Sequence, residues 1–175
     1  VGTLEAILIL RELELSPASF GLIMGIGSVG GLLGALATPW VTKHVGEGTA
    51  VSLSALAMAA ASAAIPLAGT FPGVALPILI LGSFVNSFLV LVYNITQVTA
   101  RQRLTPARLL GRMNASIRFV VWGVMPIGAL AAGALGSTIG ILPTMWIGVA
   151  GTAVGSFWVL FSPITRMRTL PTELV

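Results

Sequence analysis

The sequence predicts an all-α membrane protein, and three observations lead to that fold class. The chain of 175 residues is 56% hydrophobic and only 8% charged, whereas soluble domains carry about 25% charged residues. Its mean hydropathy is +1.02. Apolar runs recur along the chain, and several reach the roughly 20 residues that a helix needs to cross the hydrocarbon core of a bilayer. A chain this poor in charge cannot cover a water-facing surface, so a bilayer is the expected environment.

Five complete spans and one partial span are expected in a single transmembrane domain, residues 1–175. The partial span, within residues 1–13, is too short to cross alone, and we interpret it as the end of a truncated helix. Ser16 and Pro17 form a helix start, a capping residue followed by a first-turn proline, and Thr105 and Pro106 repeat it before a short basic helix. Glycine-containing turns separate the other spans. The predicted helices are 17–42, 49–68, 74–103, 113–135 and 144–161, followed by a tail at 163–175.

Lysine and arginine are distributed unequally between alternate loops. One set of loops and the tail carry Lys43, Arg101, Arg103, Arg108, Arg112, Arg166 and Arg168. The other set carries only Arg11, which lies beside two glutamates. Basic loops favour the cytoplasmic side, so the C-terminus is expected in the cytoplasm, and the basic cluster should also hold the chain to the anionic inner leaflet. No set of stacking aromatic residues accompanies the arginines, so we expect no nucleic-acid partner.

Few residues in this chain could support catalysis or metal binding. It has no cysteine, no aspartate and a single histidine, His44, in a predicted loop. A thiolate site or a Ser-His-Asp triad therefore cannot be assembled, and we expect neither an enzyme nor a metal or other cofactor.

Small residues recur four apart on the second span, a spacing that lets two helix backbones approach closely in a membrane. The glycines concerned are Gly21, Gly25, Gly27, Gly30, Gly31 and Gly34. Two interpretations remain open: static helix packing, or a smooth face along which one helix slides during a conformational cycle.

A polar stripe follows one side of the fourth span. At about 100° per residue, its members fall within less than a third of the helix circumference. They are Ser83, Asn86, Tyr93, Asn94, Gln97 and Arg101. Uncompensated amides in hydrocarbon are costly, so the stripe should face protein or water. It can form hydrogen bonds between helices or line a water-filled pathway.

Two ionisable residues lie inside apolar segments. Glu5 is the only acid well inside one; hydrocarbon disfavours its charged form, so it is a candidate proton carrier, the alternative being an interfacial or ion-paired glutamate. Arg118 lies near the start of the fifth span and shares a helix face with Trp122. It can extend to the headgroups or face a substrate pathway.

Two stretches resemble transporters of the major facilitator superfamily. Residues 93–136, "YNITQVTARQRLTPARLLGRMNASIRFVVWGVMPIGALAAGALG", are similar to that family's tenth and eleventh helices, and "RELELSPASFGLIMGIGSVGGLLGAL" (11–36) is similar to its seventh-to-eighth junction. The bacterial enterobactin-exporter and macrolide-efflux-like group is the branch it resembles. The cytoplasmic loop motif departs from the family, because Thr38 and Trp40 stand where an acid and an arginine are expected.

The resemblance implies the C-terminal six-helix bundle of that fold, with the first helix truncated and the N-terminal half missing. It implies that the helices bearing Glu5 and the stripe line a central cavity, whereas spans 49–68 and 144–161 lie outside. It also implies a multi-pass protein of the bacterial plasma (inner) membrane.

The function we expect is that of half a secondary transporter, which exports an amphipathic small molecule such as a drug or siderophore by alternating access. Protons would drive it, through Glu5 if this half holds the carrier. The substrate pathway would comprise Ser83, Asn86, Tyr93, Asn94, Gln97, Arg118 and Trp122. The alternative is a non-transporting membrane scaffold or an inactive transporter fragment, which would depend on neither Glu5 nor the stripe.

Overall fold

The computed structural model describes Leu8, Ile9, Leu13 and residues 15–161, without the side chains of Leu104, Val159 and Leu160. The described part is helical throughout apart from short connections. Its helices are α1 (Pro17–Val45), α2 (Glu47–Ser62), α3 (Ala64–Thr70), α4 (Ala75–Leu104), α5 (Leu110–Ile139) and α6 (Ile141–Leu160). Short 3-10 turns at Pro72–Val74 and Ala107–Leu109 precede α4 and α5.

Five segments of the described chain are long and apolar enough to cross a membrane, with α2 and α3 together forming one of them. These are Pro17–Val45, Glu47–Thr70, Pro72–Arg103, Ala107–Ile139 and Ile141–Trp158. The protein is therefore an all-helical, multi-pass membrane protein, as the composition predicted.

The helix ends follow from local chemistry. At the start of α1, Ser16 Oγ accepts a hydrogen bond from the backbone N–H of Ser19 at 3.1 Å, and Pro17 occupies the first helical position, where a proline loses no helical bond. Gly46 separates α1 from α2 at φ +89°, and Gly140 separates α5 from α6 at φ +92°. Positive φ is strained for any residue with a Cβ, so these two glycines make the abrupt breaks possible.

Three predicted elements differ from those in the structure. The span at 49–68 is two helices that meet at Ala63; Pro66 has no N–H to donate to the Ser62 carbonyl, and its ring disfavours a straight helix there. The turn placed between residues 135 and 144 is reduced to Gly140 alone. The short basic helix predicted before the fifth span is a 3-10 turn that runs directly into α5.

The helices do not pack in chain order. α1 packs mainly against α4, while α2 packs against both α4 and α6. A buried apolar cluster of Ile9, Ile23, Ala68, Ala75 and Leu79 joins the N-terminal residues, α1, α3 and α4. α5 has no buried residue and packs mainly against α6.

An ion pair identifies the loops that share one end of the bundle. Arg103 at the end of α4 lies 2.7 Å from Glu47 at the start of α2. Lys43, near the end of α1, is therefore at the same end as the basic turn that leads into α5. At the opposite end, a Cβ added to Gly69 would lie 2.6 Å from Leu142. The loops rich in Lys and Arg thus meet at one end, which is the arrangement that their charge asymmetry requires.

Candidate functional site

A cavity of about 1050 Å³ lies among α1, α2, α4 and α6, next to the start of α3. Much of its wall is aliphatic or small, including Met24, Leu32, Met58, Ile65, Leu79 and Leu91. The polar side chains along it are Ser28, Ser62, Ser83, Asn86, Ser87, Tyr93, Thr152 and Ser156. No side chain in the wall is charged at neutral pH, so the site suits a large apolar body with a few polar groups.

The glycines of α1 bring its backbone directly against α4. A Cβ at Gly30 would meet the Phe84 carbonyl oxygen and lie 3.0 Å from that residue's carbonyl carbon. At Gly34 it would meet the Phe88 carbonyl oxygen and lie 2.9 Å from the Phe88 Cα. This close approach sets the distance between α1 and α4 beside the cavity. A side chain added at either glycine would push the helices apart, because the backbone atoms that it would meet cannot rotate away.

The other glycines of this pattern divide into two groups. Gly27 lies against Ser83, and a Cβ at Gly31 would lie 3.5 Å from Leu91; both glycines also line the cavity. A Cβ at Gly21 or Gly25 would meet nothing within 4 Å. The expected helix contact at this pair is therefore absent from the described part of the chain, because both glycines are exposed on the side of α1 that faces away from its neighbours. Sliding of α1 stays a prediction.

Three cavity side chains on α4 retain their full hydrogen-bonding capacity. Ser83, Asn86 and Ser87 make no hydrogen bond to any part of the chain that the structure describes. Elsewhere in the wall, Ser28 and Ser156 each donate to a carbonyl of their own helix. Polar groups without partners inside a membrane protein are expected to meet water or a ligand.

Tyr93 is the cavity end of a hydrogen-bonded chain along α4. Gln97 Nε2 donates to the Tyr93 hydroxyl at 2.8 Å. Arg101 donates through its terminal guanidinium nitrogen to Gln97 Oε1, and its Nε lies 3.3 Å from the Gln97 carbonyl oxygen. These three members of the stripe bond to one another rather than to another helix. Interhelical bonding, one of the two interpretations of the stripe, has no instance among its described members.

Four residues predicted for the substrate pathway do not line the cavity, namely Asn94, Gln97, Arg118 and Trp122. Asn94 is exposed at the edge of the stripe's arc and does not line it. Arg118 and Trp122 are exposed on α5, with Trp122 at 67%, and α5 contributes nothing to the wall. Periodicity places a side chain around its own helix but does not say where that helix packs, and α5 packs beside α6. Gln97 is connected to the cavity wall only by its hydrogen bond to Tyr93.

The remaining candidates are simple to place. Lys43, Arg108 and Arg112 are exposed near the basic end of the bundle, and Arg101 is partly buried there. Glu5, Arg11, Arg166 and Arg168 lie outside the described residues.

The cavity also uses two helices that the resemblance placed outside. α2 contributes Ala55, Met58 and Ser62, and α6 contributes Thr152 and Ser156. The single hydroxyl hydrogen of Ser156 is shared between the Thr152 carbonyl of its own helix and the Ala55 carbonyl, whose oxygen lies 3.0 Å away, and this contact connects α6 to α2. Serine and threonine are common in apolar helices because they bond to their own backbone, so the sequence carried no signal for this role.

Comparisons with known proteins find no similar family or relative. No protein-family model, no curated protein and no solved structure matches the chain significantly. In the described residues, no group of three or more His, Cys, Asp or Glu side chains could hold a metal ion. The function is therefore argued from the cavity itself.

Proposed function

We propose that this chain is part of a secondary transporter that moves an amphipathic small molecule through the cavity among α1, α2, α4 and α6. The observation that carries the proposal is the cavity, about 1050 Å³ within the membrane-spanning helices. A packed helical domain leaves few voids larger than a water molecule. A space of this size matches the upper range of small-molecule sites.

The chemistry of the wall supports an amphipathic substrate. Asn86, Ser83 and Ser87 offer unused donors and acceptors on α4, and the opposite walls offer methionine, leucine and alanine. A solute with an apolar body and a few polar groups can satisfy both surfaces. A purely ionic substrate would find no charged side chain in the described wall.

The resemblance to the major facilitator superfamily supplies the rest of the proposal. It suggests the C-terminal half of an exporter in the bacterial inner membrane, proton coupling, and a C-terminus in the cytoplasm. That family's site lies between two six-helix halves, whereas this cavity is lined by helices of a single bundle. The proposal therefore relies on the cavity for the site and on the likeness for direction and coupling.

A helix-pairing scaffold is the second candidate, and one observation favours it. Gly21 and Gly25 present a small–xxx–small pair on α1, and no described residue lies within 4 Å of a Cβ added at either. Such a pair can receive another transmembrane helix. This function needs no cavity and no driving ion.

Efflux from whole cells tests transport directly. Cells that produce the protein containing this chain should expel some members of a panel of amphipathic fluorescent dyes. A protonophore should stop this efflux. If Glu5 carries the proton, Glu5→Gln should reduce gradient-driven efflux at least about tenfold at equal expression, since an amide cannot exchange a proton. Efflux of no dye in the panel would favour the scaffold. Efflux that persists in Glu5→Gln would remove Glu5 from the coupling step.

A further inference from the structure

We propose that Tyr93 is a dedicated hydrogen-bond donor that selects substrates with an oxygen acceptor, and that Gln97 and Arg101 hold it in that role. The inference rests on the proposed function, because it names the chemical class that the same cavity prefers. It begins from the chain of bonds that runs from Arg101 through Gln97 to Tyr93.

The direction of these bonds is determined by arginine. A guanidinium group has five N–H donors and no acceptor. The atom of Gln97 that contacts Arg101 must therefore be its amide oxygen, and the amide nitrogen is left to face Tyr93. Its N–H points at the phenol oxygen over 2.8 Å. The assignment of the Gln97 amide is thus decided by chemistry rather than by shape.

The hydrogen bond from Gln97 determines the direction in which the Tyr93 hydroxyl can donate its own proton. Its oxygen accepts the Gln97 hydrogen, so the hydroxyl's own proton, which lies in the plane of the ring, points away from Gln97. Within the described chain that proton has no acceptor. Tyr93 lines the cavity, so it offers a donor there. The positive charge of Arg101, passed on through the polarised amide, strengthens that donor.

The ligand class follows from this polarity. A carbonyl, ether or other oxygen acceptor can take the Tyr93 proton, whereas a group that only donates would meet an oxygen already in use. Asn86, seven residues earlier and nearly on the same side of α4, can serve a second polar group of either kind. The site should therefore bind an apolar molecule with an oxygen acceptor better than the same molecule without one.

Two fluorescent probes of nearly equal shape test this. One is 2-acetyl-6-dimethylaminonaphthalene, and the other replaces its acetyl group with ethyl. We expect the purified full protein in detergent to bind the ketone about fivefold to tenfold more tightly than the hydrocarbon, the worth of one good hydrogen bond. Tyr93→Phe should reduce that ratio to about one.

The role of Gln97 is tested with a matched pair of variants. Gln97→Leu should lower the ketone preference by at least about half, because the phenol is then free to turn its proton away from the ligand. Gln102→Leu makes the same chemical change at an exposed position of α4 and should keep the full preference. Arg101→Met should act like Gln97→Leu, and Arg101→Lys should restore part of the effect.

The outcomes separate this inference from the proposed function. Equal binding of both probes by the unaltered protein would overturn the donor role while leaving a small-molecule cavity in place. A preference that survives Tyr93→Phe would also overturn it. Failure of both probes to bind would overturn the cavity as a small-molecule site and the Tyr93 inference with it.

Discussion

Gly34→Ala is expected to destabilise the protein, although alanine is the better helix former. The added methyl would lie 2.9 Å from the Phe88 Cα and closer still to that residue's carbonyl oxygen. Neither atom can rotate aside, so α1 must move away from α4 along the contact. Overpacking of this kind costs about 1–3 kcal/mol. Gly30→Ala, which meets the backbone of Phe84 in the same way, should have a similar effect.

Thermal or denaturant unfolding of the purified protein in detergent measures this effect, and the same helix supplies the control. Gly25→Ala makes the identical change where the new methyl would meet nothing within 4 Å. It should be neutral or stabilising by up to about 1 kcal/mol, because alanine has less backbone entropy to lose. The difference between the two variants isolates the α1–α4 contact. Equal stability of Gly34→Ala and Gly25→Ala would show that the helices do not meet through these glycines.

Asn86→Leu is expected to lower dye efflux about fivefold or more at normal expression. Asn86 makes no hydrogen bond within the described chain, so its loss leaves no partner unsatisfied in the resting fold. Asn86 lines the cavity, so a substrate can use its amide donors and acceptor. In the leucine variant, that substrate loses about 1 kcal/mol of binding free energy for each hydrogen bond that it made to Asn86. Leucine fits a transmembrane helix well, so the variant should accumulate in the membrane like the unaltered protein.

The efflux assay for Asn86 has a control variant, Asn94→Leu. The same control distinguishes a pathway lined by the whole stripe from one lined only by the stripe members in the cavity wall. Asn94→Leu makes the same change on the same helix, at an exposed position outside the cavity wall. Periodicity alone would give both asparagines the same role, whereas the structure gives it to Asn86. Efflux should therefore fall in Asn86→Leu and remain in Asn94→Leu. Equal loss of efflux in both variants would indicate that the whole stripe, and not Asn86 alone, lines the pathway.

Most of the fold could be predicted because helices in a bilayer must satisfy every backbone group internally. Apolar runs of sufficient length therefore correspond closely to helices, as they do for α1 and α4. The breaks were harder to predict, since they depend on single residues such as Pro66 and Gly140 whose effect is decided by local geometry. A proline or glycine within an apolar run can also be absorbed, as Pro126 is within α5.

The site was predictable in one helix and not across helices. Ser83, Asn86 and Tyr93 share a face of α4, and that face is a wall of the cavity. Arg118 and Trp122 have an equally clear common face on α5, but that helix lies outside the wall. The hydrogen-bonded role of Gln97 and the contributions of Ser87 and Ser156 depend on which side chains meet in space, and no period in the sequence encodes that.

The central claim is that Asn86 faces a water-filled pathway inside the membrane, and thiol labelling tests it most directly. Residues 1–175 contain no cysteine, so Asn86→Cys introduces the only thiol of this segment, and any cysteine elsewhere in the protein is replaced by serine first. Val85→Cys is the matched control, because Val85 is 37% exposed on α4 but outside the cavity wall. A charged, water-soluble thiol reagent needs the thiolate, which forms only where water reaches. We predict that Asn86→Cys reacts at least about tenfold faster than Val85→Cys and that a transported dye slows it. Equal and slow labelling at both positions would contradict the claim and leave the stripe as helix packing.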